Sequence, residues 1–435
     1  MGADNTRYDF RARDCLLGAQ MMFVAFGSLV LVPLLTGLNS NVALFTAGVG
    51  TLLFQLVTRG KVPIFLASSF AFIAPLIYGV QTWGLPATMG AMAFSGLIYV
   101  LLSFVIRWRG TEIILRVLPP IVTGPVIVVI GLVLAPVAVN MALGKTSDGS
   151  QVLYAHDAAL IVSMVSLAVT VIVSLVGRGM LRLVPILAGI VAGLICSVCV
   201  GIHDFSRLAT TPWFSLPPFT TPTFELEAIL FIIPVTLAPV IEHFGDIIAI
   251  SSVTGRDFLK DPGIKTTMLG DGVATLFASC LGGPPNTTYS EVTGAVALTR
   301  AFNPAIMTWA AICAICLSCV SKLGAFLASI PTPVMGGIMI LLFGAIMVVG
   351  LNTLVRAGQD LMEPRNLAIC ALIIIFGVGG MSFAIGSFRL VGIGLAAVTG
   401  VILNLVLPRT PRLTPEEKTR RRALLEQARQ DKGEQ

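Results

Sequence analysis

The stretch GGPPNTTYSEVTGA, residues 282–295, decides how the rest of the chain is read. Two glycines and two prolines stop any preceding helix, the hydroxyl-rich NTTYS suits an extended backbone, and Glu291 then stands in an otherwise nonpolar run. The flanking chain is apolar and helical in pattern. An extended, carboxylate-bearing segment between such flanks is tolerable only when it is buried in protein or lines a cavity.

Composition gives the setting. Of 435 residues 56% are hydrophobic and 11% charged, and mean hydropathy is +0.92, far from soluble globular usage. Apolar stretches long enough to cross ~30 Å of hydrocarbon recur throughout, so the chain reads as an all-α polytopic membrane protein with no separate soluble domain. Fourteen crossing segments are expected, near 17–36, 41–58, 63–82, 86–106, 117–139, 154–176, 183–202, 225–250, 266–281, 286–299, 303–321, 332–351, 366–383 and 388–407. With the N-terminus in the cytoplasm, the outer connections hold only Lys145, Arg207, Lys322 and Arg389 of the 28 Lys and Arg. This asymmetry satisfies the positive-inside rule with both termini inside. Trp83, Trp213 and Trp108 fall at segment edges, as an aromatic belt requires. The net charge of +6 is then topology and attraction to membrane lipid, and implies no nucleic-acid partner. Residues 1–14 lack a cleavable leader pattern.

The two halves resemble each other. GVGTLLF at 48–54 matches GVATLF at 272–277, Ser68-Ser69-Phe70-Ala71 matches Thr287-Thr288-Tyr289-Ser290, and PPIVTG at 119–124 matches PTPVMG at 331–336, at offsets of 224, 219 and 212. Seven segments per half make the repeat inverted, with the third and tenth segments facing each other near the midplane. Both carry breakers and hydroxyls: Pro63 and Pro75 bracket the third, and Pro284-Pro285 open the tenth. Each is expected to be partly a short β-strand, the two pairing across the axis with leftover N–H groups free for a ligand.

Carboxylates at membrane depth cost at least ~2.5–3.5 kcal/mol each and require a reason. Four stand out: Glu242 and Asp246 in TLAPVIEHFGDIIAISS, Asp271 in MLGDGVATLF, and Glu291. Glu242 and Asp246 are four residues apart and expected on one helix face. Asp246 and Asp271 have a plainer alternative near the cytoplasmic end, bonded to helix termini or to a base such as Arg256. Neither Glu242 nor Glu291 has a basic residue within a turn, and both are assigned to a site. His243, about 100° round the helix from Glu242, is read as a packing residue outside it. Two acids, free amides and the rings of Phe70 and Tyr289 in a dry cavity suit a flat, neutral, hydrogen-bonding ring such as a nucleobase. A metal cation would want more oxygens, and an organic anion would want Arg or Lys.

QMMFVAFGSLVLVPLL, KVPIFLASSFAF, IEHFGD, GGPPNTTYSEVTGAVALTR and PTPVMGGIMILLFG together resemble the nucleobase–ascorbate transporter family, from about residue 15 to 407. The resemblance implies a proton-coupled symporter of the bacterial cytoplasmic (inner) membrane, homodimeric and elevator-like, carrying uracil or a related nucleobase. A xanthine or uric acid permease of the same family, or an anion transporter of the same fold, are the alternatives. It also implies core segments at 15–110 and 223–328, gate segments at 111–222 and 329–407, and cytoplasmic ends at 1–14 and 408–435. Carried over by residue, Glu242 holds a ring N–H and a proton, Glu291 holds another ring N–H, and Phe70 and Ser290 offer backbone amides. Tyr289 walls the cavity. Phe343 stands at the gate-side wall where the uracil-transporting branch has Tyr, Met21 replaces a common His, and Asp246 replaces a His. Glu242 and Asp246 are thereby expected to be the proton-coupling pair, with Asp271 as a relay and no cofactor beyond the proton.

Other chemistries are disfavoured. Cys196-x-x-Cys199 and Cys313-x-x-Cys316-x-x-Cys319 lie in apolar helices without His or carboxylate nearby, so no metal is assigned. Three scattered histidines without H-E-x-x-H or G-x-S-x-G give no catalytic constellation, and the chain is not read as an enzyme. Thr414, Pro415 and Glu417 open a short helix in the tail.

Overall fold

The computed structural model describes residues 6–110, 116–178, 181, 184–204, 206–385 and 388–408. The tail helix expected from Thr414 lies outside them. In order the elements are α1 (Cys15–Thr36), α2 (Ser40–Val57), β1 (Leu66–Ser68), α3 (Ile73–Arg109), α4 (Pro120–Ala142), α5 (His156–Val176), α6 (Pro185–Val200), α7 (Ser206–Thr210), α8 (Leu226–Val235) and α9 (Leu237–Thr254). Then follow α10 (Ile264–Cys280), β2 (Asn286–Thr288), α11 (Ser290–Thr299), α12 (Ala305–Ser318), α13 (Ser321–Ala328), α14 (Thr332–Ala357), α15 (Pro364–Val378), β3 (Ser382–Ile385), β4 (Phe388–Val391) and α16 (Gly392–Val406). Among the described residues, α1 to α5, α9 and α14 are long and apolar enough to cross a membrane, and α6, α12, α15 and α16 are shorter apolar helices.

Sequence punctuation explains most boundaries. Asn39 caps α2 by accepting from the amides of Asn41 and Val42, and Pro120, Pro185 and Pro364 begin helices where a missing N–H costs nothing. Gly84, at φ 80°, breaks α3 between the third and fourth expected segments.

Two expectations need correction. The segment read as continuous over 225–250 is two helices, α8 and α9, parted at Thr236. Pro239 supplies the reason, since its ring occupies the space in which Val235 would place its carbonyl four residues back. The chain read as helix over 366–383 and 388–407 instead turns through an antiparallel hairpin, Ser382 pairing with Val391 and Phe383 with Leu390. Its alternating apolar residues outweigh the helical reading, and Gly392, at φ 52°, starts α16 afterwards.

Packing falls into two sets. α1, α2, α3, α10 and α12 lie against one another and enclose the β1–β2 pair, whereas α14 packs along α4, α5 and α6, with α15 and α16 against α4. α8 touches both α3 and α16. The α4–α14 crossing is close because glycine faces backbone: a Cβ on Gly131 would stand 2.6 Å from the Phe343 carbonyl oxygen, and one on Gly336 2.1 Å from the Ala142 nitrogen. Before α1 the chain is tied down, with Phe10 stacked on Trp309 and the Trp309 indole N–H donating to the Arg11 carbonyl at 2.9 Å.

Candidate functional site

The site grows from the β1–β2 pair. β1 and β2 run antiparallel, Leu66 opposite Thr288, Ala67 opposite Thr287 and Ser68 opposite Asn286, and the Ser69 amide extends the ladder to the Pro285 carbonyl at 3.0 Å. Two strands leave their outer edges unpaired, which is costly in an apolar interior. Side chains from the flanking helices meet that need. Thr51 of α2 accepts from the Leu66 amide at 3.0 Å, Thr275 of α10 donates to the Asn286 carbonyl at 2.5 Å, and the Asn286 amide group donates to the Thr46 carbonyl at 2.8 Å. Gly50 makes room, for a Cβ there would stand 2.6 Å from the Asn286 side chain.

Where each strand ends, a helical turn begins. Phe70 follows β1 and opens the turn that leads into α3, while Tyr289 follows β2 in extended backbone and Ser290 is the first residue of α11. The rings of Phe70 and Tyr289 are both buried and lie 6.0 Å apart, tilted by 51°. Glu291 occupies the first turn of α11, beside its unsatisfied amides and positive helix end.

α9 packs beside α11. Its open face carries half-buried Glu242 and exposed Gly245, and that of α11 carries exposed Glu291 and Gly294. A Cβ on either glycine would meet nothing within 4 Å. Glu242 lies within electrostatic reach of Asp246, Glu291 and Asp271. Glu242 is thus half-buried on α9, and Glu291 is exposed in the first turn of α11.

The inward face of α9 carries His243 and Asp246, three residues apart and both buried. Four residues advance a helix by about 40° beyond a full turn, so Asp246 turns into the protein while Glu242 stays at the edge. Thr288 donates its hydroxyl to Asp246 Oδ2 at 2.8 Å, and Thr287 donates to Asp271 Oδ2 at 3.2 Å. His243 Nδ1 lies 3.2 Å from the same Asp271 oxygen, and its Nε2 lies 3.0 Å from Thr267 Oγ1. Arg256, the base named for them in the cytoplasmic alternative, donates to the carbonyl and hydroxyl of Thr6.

The structure therefore brings Phe70, Tyr289, the Ser290 backbone, Glu242, Glu291, Asp246 and Asp271 into one neighbourhood. Phe343 is buried on α14 over Gly131, and among the described residues it makes no ring contact with Phe70 or Tyr289. His243, read from the sequence as a packing residue outside the site, is buried with polar partners, and the signal was its three-residue spacing to Asp246, which puts both on one side of α9.

A helical, multi-pass architecture with a broken-backbone polar site in its interior defines a membrane carrier. Its relatives give the family: a profile described as "Permease family" (Xan_ur_permease) matches residues 13–386. The chain belongs to this permease family, the nucleobase–ascorbate transporter family of its motifs, and is a multi-pass membrane protein and not an enzyme. It is 57% identical over 399 residues to a probable uracil permease of Haemophilus influenzae, covering 92% of this chain and 95% of the relative. It is 38% identical over 401 residues to the uracil permease of Escherichia coli, covering 92% of each. In fold it resembles the transmembrane domain of the cyanobacterial bicarbonate transporter BicA, with a TM-score of 0.64 at 13% identity over 92% of this chain and 99% of that one.

Proposed function

We propose that the chain carries uracil or a related nucleobase into the cell together with a proton. The observation that carries this reading is identity along nearly the whole of both chains with proteins named uracil permease. The neighbourhood around the strand ends supplies suitable chemistry. Glu242 accepts one ring N–H and takes the proton, Glu291 accepts a second, and the backbone amides of Phe70 and Ser290 donate to ring carbonyls. Phe70 and Tyr289 form the wall, and Phe343 presents an apolar surface from the gate side. Glu242 and Asp246 are the coupling pair, with Asp271 the acid behind them.

Fourteen segments in a seven-plus-seven inverted repeat form the proposed frame. Support comes from contacts that exchange under the sequence offsets. A Cβ on Gly50 would meet Ala274, its counterpart, and the counterparts Thr51 and Thr275 each brace one strand. The pair Ala67–Thr287 exchanges with Ser68–Asn286. Gly131 lies on Phe343, its counterpart, while Gly124 against Leu354 exchanges with Gly336 against Ala142. A pseudo-two-fold axis in the membrane plane produces contacts of this kind. Residues 15–110 and 223–328 form the core that carries the site, and 111–222 and 329–407 form the gate against which it moves, elevator-like. The protein is a homodimer of the bacterial cytoplasmic membrane with both termini inside.

The test is uracil uptake into proteoliposomes with and without an inward proton gradient, with thymine, xanthine and uric acid as competitors. Gradient-dependent uracil flux that xanthine does not block is expected. No uracil flux, or flux indifferent to the gradient, overturns the reading.

A further inference from the structure

The chain before α1 and the loop between α11 and α12 border a cavity of about 540 Å³, at the opposite end of α11 from Glu291. Four arginines line it, Arg7, Arg11, Arg13 and Arg300, against two aspartates, Asp9 and Asp14, a surplus of two positive charges. The acids are already engaged. Asp9 pairs with Arg11, while Asp14 stands 3.9 Å from Arg13 and accepts from the Asn303 side chain at 3.4 Å. Among the described residues, Arg7 and Arg300 form no ion pair. Two helix starts add to this charge. Leu17 brings the first turn of α1 to the cavity and Ile306 that of α12, helices of 22 and 14 residues whose positive ends favour an anion. The positive-inside rule accounts for arginines at this end of the bundle, but it asks for none of them to converge on one cavity.

We propose that this cavity is a second binding site, separate from the transport site, and that it takes a phosphate group. A phosphate monoester carries about −1.5 to −2 charge at neutral pH and three acceptor oxygens, which matches the surplus of two and the two unpaired guanidinium forks. A single carboxylate would neutralise only one of them. The same phosphate chemistry is offered by a soluble phosphorylated metabolite and by the headgroup of an anionic phospholipid. The segment that lines one wall is strapped across the helix ends. Thr6 accepts from Arg256 just past α9 at 3.2 Å, Tyr8 lies over Gly60 just past α2, and Asn303 donates to the Asp9 carbonyl at 2.7 Å. Arg300 closes the other wall as the C-terminal cap of α11. A phosphate held between Arg7 and Arg300 therefore ties the strap, and through it the end of α9, to the end of α11. Those two helices carry Glu242 and Glu291, so under the transport reading a filled site restrains the carboxyl-bearing helices relative to one another.

Binding of pyrophosphate, followed by titration calorimetry, tests the site. The native chain, Arg7→Gln and Arg300→Gly are each placed in phosphatidylcholine nanodiscs in phosphate-free buffer. Arg300 sits at φ 54°, a conformation that glycine adopts without strain, so this variant removes the guanidinium without loading the fold. Saturable binding by the native chain is expected, weakened about tenfold or more in each variant. Equal binding by all three overturns the location. In a second arm, the proteins are purified from bilayers containing phosphatidylglycerol and the retained lipid is measured by mass spectrometry. Phosphatidylglycerol kept by the native chain and lost from both variants, without pyrophosphate binding, assigns the phosphate to a lipid headgroup. Neither pyrophosphate binding nor variant-sensitive lipid overturns the proposal. Both arms read binding alone, so they stand whether or not the protein carries uracil.

Discussion

Thr288→Val isolates the hydroxyl that links the strand pair to the proposed proton site. Valine keeps the β-branched shape suited to the extended backbone opposite Leu66, and removes only the donor to Asp246 Oδ2 at 2.8 Å. Thr288 is 0% and Asp246 3% exposed, so bulk water does not replace the lost hydrogen bond. Leaving a buried acceptor without such a hydrogen bond costs about 1–3 kcal/mol, and at about 1.4 kcal/mol per factor of ten this corresponds to roughly a 5- to 100-fold effect. The expected outcome is a fall of that size in initial uracil uptake by proteoliposomes, measured at equal protein under an inward proton gradient. Thr288→Ser keeps the hydroxyl and loses one methyl, worth about 0.8 kcal/mol, so it should remain within about fourfold of the native rate. Thr287→Val, whose partner bond to Asp271 is longer at 3.2 Å, should lose less. Native uptake by Thr288→Val would refute the reasoning outright. A serine variant as poor as the valine one would show that the methyl, and not the hydroxyl, carries the role.

Glu242→Gln removes the proposed proton carrier but keeps a hydrogen-bonding group of similar size, so gradient-driven accumulation should vanish; accumulation at the native level counts against the coupling role. Gly131→Ala places a Cβ 2.6 Å from the Phe343 carbonyl oxygen and 2.9 Å from the Met347 nitrogen. The crossing of α4 and α14 must then open, at a cost of about 1–3 kcal/mol, read as a lower melting temperature, and an unchanged melt argues against the close approach. In the loop between α4 and α5, hydrogen bonds from Thr146 and Ser150 lower the exposed Asp148 carboxyl to about 2. Because its folded value is depressed, the stabilisation is present above the ordinary carboxylate range and is lost as pH falls through about 2. Hydrogen exchange at the Ser150 amide should therefore stay protected down to about pH 4 and be faster in Asp148→Asn at neutral pH.

What the sequence disclosed, and what it withheld, follows from the range of each interaction. Pro284-Pro285 and the small hydroxyl residues around Ser68 and Thr287 act on their own backbone, so the two strands and their positions were legible. That Leu66–Ser68 pairs with Asn286–Thr288 was legible from the sequence matches between the halves. The placement of His243 depends on where α10 lies, which no local pattern states, and so a residue with three polar side-chain partners looked like packing. Pro239 did announce the break before α9, but the apolar run around it masked the signal. The β3–β4 hairpin was hidden for the same reason, since apolar alternation over a few residues between helices resembles a helix end.

Under the proposed transport reading, the strand pair also accounts for a neutral ring as the cargo. Both strands end at helix starts, one at Phe70 and one at Ser290, and helix N-termini with free amides favour negative charge. Left as they are, two such ends would invite an anion. Here Glu291 stands in the first turn of α11 and Glu242 on the neighbouring helix α9, each placing a carboxyl group near a helix start. A ligand that is itself anionic gains from the amides but offers the carboxyl oxygens no N–H to accept. A neutral ring with both carbonyl acceptors and N–H donors satisfies both at once, and under the proposed transport reading a proton on Glu242 removes the charge that would hold the loaded site back from crossing a low-dielectric barrier.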